Sequence, residues 1–76
     1  VPKFFFDHHS NTGIEIDDEG IDLPDVDAAR SLALEALGQS LLDGAPRSLT
    51  GRFAIEVRGP SGPSVRASAV VVLEEL

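Results

Sequence analysis

Cysteine, methionine, tryptophan and tyrosine are all missing from this 76-residue chain. Without cysteine there is neither a disulfide framework nor a thiolate metal site, so one small core must hold the fold, alone or with help from a partner subunit. The same absence fits any redox compartment. Cations are scarce as well: six Lys and Arg stand against thirteen Asp and Glu, a formal net charge of -7. Such a chain repels phosphate backbones and anionic lipid headgroups, which argues against nucleic-acid or membrane partners. No apolar run approaches the roughly 20 residues of a membrane span, and the N-terminus lacks the regions of a signal peptide. A cytoplasmic protein is expected. With 42% hydrophobic residues in so short a chain, there is room for one domain over residues 1–76 and one core.

The elements follow from changes of hydrophobic period. Lys3-Phe4-Phe5-Phe6-Asp7-His8-His9 reads as a first strand, ended by the turn formers Ser10-Asn11-Thr12-Gly13. Ile14 and Ile16, then Ile21 and Leu23, alternate with acidic residues and give a second strand, bulged or broken around Glu19-Gly20. Pro24 stops it, and Asp25 is placed to cap a helix whose first turn carries Asp27. At 100° per residue, Val26, Ala29, Ala33, Ala36, Leu37 and Leu41 form one stripe with Leu34 at its margin, and Gly44 and Pro46 end a helix of roughly 18 residues. After a linker over Ala45 to Gly51, Arg52 to Arg58 alternates cleanly, with Phe53, Ile55 and Val57 on one face. A loop over Gly59 to Ser64 leads to a last strand from Val65 to Leu73. The expected fold is α+β in the order β-β-α-β-β, an antiparallel four-stranded sheet with one helix packed on one face. The stripe of Ala29, Ala33, Leu37 and Leu41 should lie on Phe4, Phe6, Phe53, Ile55 and Val71.

Val1-Pro2-Lys3-Phe4-Phe5-Phe6, the acidic block Asp17-Asp18-Glu19-Gly20-Ile21-Asp22-Leu23-Pro24-Asp25, the helix opening Asp27-Ala28-Ala29-Arg30 and a closing hairpin after Gly51-Arg52 together carry a resemblance. Over nearly its whole length the chain resembles a family of small bacterial proteins known only as a domain of unknown function. Members of that family open with Met-Pro-Arg-Tyr-Phe-Phe-His and continue to an acidic-Gly-x-x-Leu-Pro-Asp segment before an Ala-rich helix. The acidic block is the more specific part. This chain departs at Asp7, where members often carry His, although His8 follows at once. The resemblance implies that Val1 occupies the initiator position, which would account for a chain without methionine; it implies no activity, cofactor or catalytic residue.

Seven carboxylates fall between Glu15 and Asp27 with no Lys or Arg among them, which raises calcium first. Aligned on Gly20, an EF-hand loop would use Glu15, Asp17 and Glu19, but the position of its late bidentate acid holds Val26, and Leu23-Pro24 interrupts its second half. A solvated acidic edge leading into a helix cap explains the run more simply. His8-His9 beside Asp7 suggests zinc, yet neighbouring strand residues point to opposite faces, so only Asp7 and His9 share a side. Asp7, His9 and Ser10 also lie too close along one strand end to converge as a nucleophilic relay. Little room is expected for a pocket of several hundred Å3. No enzyme, cofactor or required metal is therefore expected; Asp7, His9, Asp17 and Glu19 are the candidates should a small ligand or divalent metal bind the acidic segment and the His8-His9 end.

Arg52, Arg58 and Arg66 could line one face of the closing hairpin, where pairing with carboxylates such as Glu56 is expected rather than phosphate binding. Val70 and Val72 sit at solvent-side parity on the last strand, and Phe5 has the parity opposite to Phe4 and Phe6. The sheet is thus expected to be apolar on both sides while one helix covers only one of them, so Phe5, Val70 and Val72 are candidates for a homodimer interface. A non-catalytic homodimeric interaction or accessory module is the expected function.

Overall fold

The computed structural model describes residues 1–44 and 50–76; Pro46 and most of the expected linker lie outside them. Its elements are β1 (Lys3–Ser10), β2 (Gly13–Glu15), β3 (Ile21–Asp22), α1 (Val26–Gly44), β4 (Gly51–Gly59) and β5 (Gly62–Val71). They form one antiparallel sheet in the order β2-β1-β4-β5, with β3 also pairing to β1. The expected α+β architecture is the observed one, and the expected break in the second strand divides it into β2 and β3.

Both pieces use the same edge of β1. β2 pairs with His8 to Ser10, β3 with Lys3 and Phe4, and the stretch between them faces the loop 16–20. The closing hairpin is tighter than expected: Gly59 pairs with Gly62, and Gly62 takes a φ of 107° that lets the chain reverse over Pro60-Ser61. A register shift at Val57/Arg58 then absorbs Ser64, so β5 begins at Gly62 and ends at Val71, earlier at both ends than the alternation alone predicts.

Asp25 caps α1, its Oδ1 accepting the Ala28 N–H at 2.9 Å. The helix packs on β4 and β5 and buries Ala29, Ala33 and Leu37 against Phe4, Phe6, Phe53, Ile55 and Val57, with Leu41 and Val71 at the margin. Ala29 and Ala33 are wholly buried; with only a methyl group between backbone and sheet, the helix settles low over Ile55 and Val57. Two margins differ from the expected stripe. Leu32 packs against the core, whereas Leu34 is 64% exposed and Val26, in the first turn, is also exposed. No helix among the described residues is long and apolar enough to cross a membrane.

Candidate functional site

In an antiparallel strand, successive residues send their backbone N–H and C=O groups to alternate edges. The Phe6 N–H points away from β4 into the gap between β2 and β3, where no strand backbone meets it. Asp17 takes that place: its Oδ2 accepts the Phe6 N–H at 3.0 Å, and its Oδ1 accepts the N–H groups of Glu19 and Gly20 at 3.0 and 3.2 Å. One carboxylate thus substitutes for a missing ladder bond and closes the turn that follows it. Gly20 completes the turn at φ 72°, with its Cα against the Lys3 and Phe5 side chains. A Cβ there would come within 2.8 Å of both, so the close approach needs glycine.

Behind this turn, on the sheet face away from the helix, Asp7 is 3% exposed and carries a charge. Arg58 satisfies it through two bonds, Nε to Oδ2 at 2.7 Å and Nη2 to Oδ1 at 3.1 Å, and the same Nη2 donates to the Asp17 carbonyl at 2.8 Å. The Asp17 N–H returns a bond to Asp7 Oδ1 at 3.0 Å. The guanidinium lies 4.8 Å from the centroid of the Phe5 ring, a cation–π contact that also covers the ring. The Arg58 guanidinium holds the Asp7 carboxyl below the usual carboxylate range, against the opposing pull of burial. The Phe6 N–H does the same for Asp17, again against burial, aided by the N–H groups of Gly20 and Glu19, and Asp7 raises the Arg58 pKa in return.

Of the four candidate ligand residues, the structure brings Asp7 and Asp17 together, but their oxygens are engaged by Arg58 and backbone N–H groups. Glu19 contributes its N–H to this turn. His9 lies further along the same face, opposite Ile14 on one side and Ala54 on the other. Among the described residues, no three His, Asp or Glu side chains are grouped to hold a metal ion. His8 points to the helix side, its Nδ1 3.4 Å from Ser40 Oγ. An open groove of about 690 Å3 lies there, lined by His8, Asn11, Ile14, Glu15, Ser40 and Phe53 among others. This is more space than the chain length suggests, and it forms where the β1–β2 hairpin meets the last turns of α1.

The interface candidates do not form one patch. Phe5 is half-buried under Arg58 on β1, while Val70 and Val72 stand 65% and 69% exposed on and just past β5, with β4 between. Arg66 meets Glu56 directly across the β4–β5 ladder in an ion pair, so two of the three hairpin arginines pair with carboxylates as expected. Two partnerships were not legible in the sequence. Arg58 serves Asp7 from 51 positions away, and the side chain of Asn11 clamps the β1–β2 turn to β4 by donating to the Thr50 carbonyl and accepting the Arg52 N–H. A signal for the first was present: an Asp directly after three phenylalanines in a strand needs a cation or donors nearby.

A family model described as a domain of unknown function (DUF6894) matches residues 3–71. The chain belongs to that family. The matched DUF6894 region runs from the first residue of β1 to the last of β5, so it takes in the whole sheet, the helix, and the Asp7, Asp17 and Arg58 cluster. No match was found among curated proteins or among solved structures.

Proposed function

We propose that this DUF6894 domain is a non-catalytic interaction module acting as a homodimer in the cytoplasm, with an accessory or regulatory task. The observation that carries the reading is the β5 edge. Among the described residues this ten-residue strand is paired on one side only, and Val70, Val72 and Leu73 stand 65%, 69% and 77% exposed at its end. Open edges of this kind are ordinarily blunted by lysines, prolines or bulges. Here Pro63 and the bulge at Ser64 guard only the hairpin end, and the one charge on the rest of β5, Arg66, is paired with Glu56. A net charge of -7 turns the module away from nucleic acid and anionic membranes, which leaves protein as the partner. The buried charged cluster supports the same reading, because its groups hold backbone in place. Sedimentation at micromolar concentrations tests the proposal: a dimer is expected, and a monomer throughout would reject it.

The groove beside His8 and Ser40 favours a second reading, a small-ligand or divalent-metal site at the His8-His9 end. A thermal-shift screen against metabolites and divalent cations separates the two, since a ligand that binds only the folded chain must raise its Tm.

A further inference from the structure

The backbone bonding fixes which groups of β5 face outward. Because the Phe6 N–H points away from β4 to Asp17, the Phe6–Val57 pair is of the kind that exchanges no ladder bonds between β1 and β4. Val57 therefore directs its N–H and C=O toward β5, where it meets Val65. Counting by twos from Val65, the odd residues Val65, Ala67, Ala69 and Val71 bond to β4. The even residues Arg66, Ser68 and Val70 present their N–H and C=O groups at the open edge, and Val72 continues the series. The same even residues place their side chains on the face away from the helix, since Arg66 meets Glu56 and Val70 meets Arg52 there.

We propose that two copies pair β5 against β5 in antiparallel fashion, with Val70 on the two-fold axis. This rests on the homodimer reading and adds its geometry. With Val70 opposite its own copy, Ser68 faces the partner's Val72 and Arg66 faces the partner's Glu74, and every such pair can exchange the outward N–H and C=O bonds. The register clusters four valines at the centre, and symmetry repeats each flanking contact. Charge complementarity selects it. Glu56 holds the Nε and Nη2 edge of Arg66, an exposed guanidinium whose Nη1 N–H groups can serve a second carboxylate. Glu74, beyond the end of β5 in the single chain, is carried to that position when the strand extends along its mate. Moving the axis by one residue, to Ala69 or Val71, keeps the backbone bonds and puts the partner's Val72 or Leu76 opposite Arg66.

The absence of cysteine makes single-cysteine variants a direct readout. Val70→Cys should form a disulfide with itself under mild oxidation, because directly opposed, hydrogen-bonded residues have Cα atoms about 5.5 Å apart. Ser68→Cys and Val72→Cys should each fail alone, their own copies being about 14 Å away at roughly 3.4 Å per residue, yet cross-link when mixed with each other. Preferential cross-linking of Ser68→Cys with Val70→Cys, or of Val70→Cys with Val72→Cys, would overturn this register while leaving a dimer. A wild-type chain that stays dimeric in sedimentation while none of these variants cross-links would reject the β5 edge as the contact. A chain that sediments as a monomer rejects both this pairing and the homodimer reading beneath it.

Discussion

Asp7 has two neighbours that need it. Without its carboxylate, the Arg58 guanidinium and the Asp17 N–H both lose an acceptor inside a nearly closed cluster. Asp7→Ala should therefore lower the urea midpoint of unfolding, because the Asp17 N–H and the partly exposed Arg58 guanidinium lose their shared acceptor. Acid should act through the same groups. Asp7 and Asp17 have folded-state pKa values below those of the unfolded chain, so the unfolded chain takes up protons first as pH falls. Their stabilisation is fully present above the unfolded carboxyl range, near about pH 4, and is lost as pH drops through the lower folded values. In Asp17→Asn, urea midpoints measured between neutral and acid pH should show a shallower acid loss. This cluster was only half legible in the sequence. Carboxylates at positions 7 and 17 stand out as ligands for something, but a bond spanning 51 residues leaves no mark in local spacing. Nor does composition tell whether a carboxylate will meet a cation, a metal or a bare backbone N–H.

The helix and the strands were more open to reading, because burial imposes a period on residues close together in the chain. Asp25 before Val26 marks where α1 begins, and the alternation of Phe53, Ile55 and Val57 marks β4. Phe53 is buried beneath the helix, so Phe53→Ala should cost roughly 3–5 kcal/mol. An unmoved denaturant midpoint would show that this ring does not carry the core. Asp25→Ala removes the acceptor for the Ala28 N–H and should cost about 0.5–2 kcal/mol, seen as a lower Tm by circular dichroism. What the periodicity misjudged were margins. A stripe stepped from Val26 favours Leu34 over Leu32, whereas Leu32 packs against the core and Leu34 stands in solvent. The bulge at Ser64 was hidden for another reason: one extra residue in a strand flips parity without changing composition.

At the scale of the whole molecule, the question is whether 76 residues stand alone. Val70→Lys with Val72→Lys would set four ammonium groups into the proposed contact across two chains, and like charges brought that close oppose association. The double variant should sediment as a monomer at concentrations where the parent is a dimer. Its far-ultraviolet circular dichroism should be unchanged, because neither valine belongs to the helix-covered core. Metal removal provides a separate check. The charged cluster is internally matched, so a chelator at neutral pH should leave the dichroism spectrum and Tm as they were; unfolding on chelation would make the second reading the stronger one.

The carboxylate that stands in for a strand between β2 and β3 makes the sheet unequal in how it breathes. The Phe6 amide is guarded by a titratable group, whereas its neighbours in the β1–β4 ladder are guarded by carbonyls that do not titrate. In hydrogen–deuterium exchange the Phe6 amide should lose protection as Asp17 protonates, in acid still mild enough to keep the β4–β5 ladder closed. Residues 13–22 would then detach as one cooperative unit ahead of global unfolding. A single amide would thus report on the opening of a whole segment, and its pH dependence would follow the joint titration of Asp17 and the Asp7 it is bonded to, without any reference to activity.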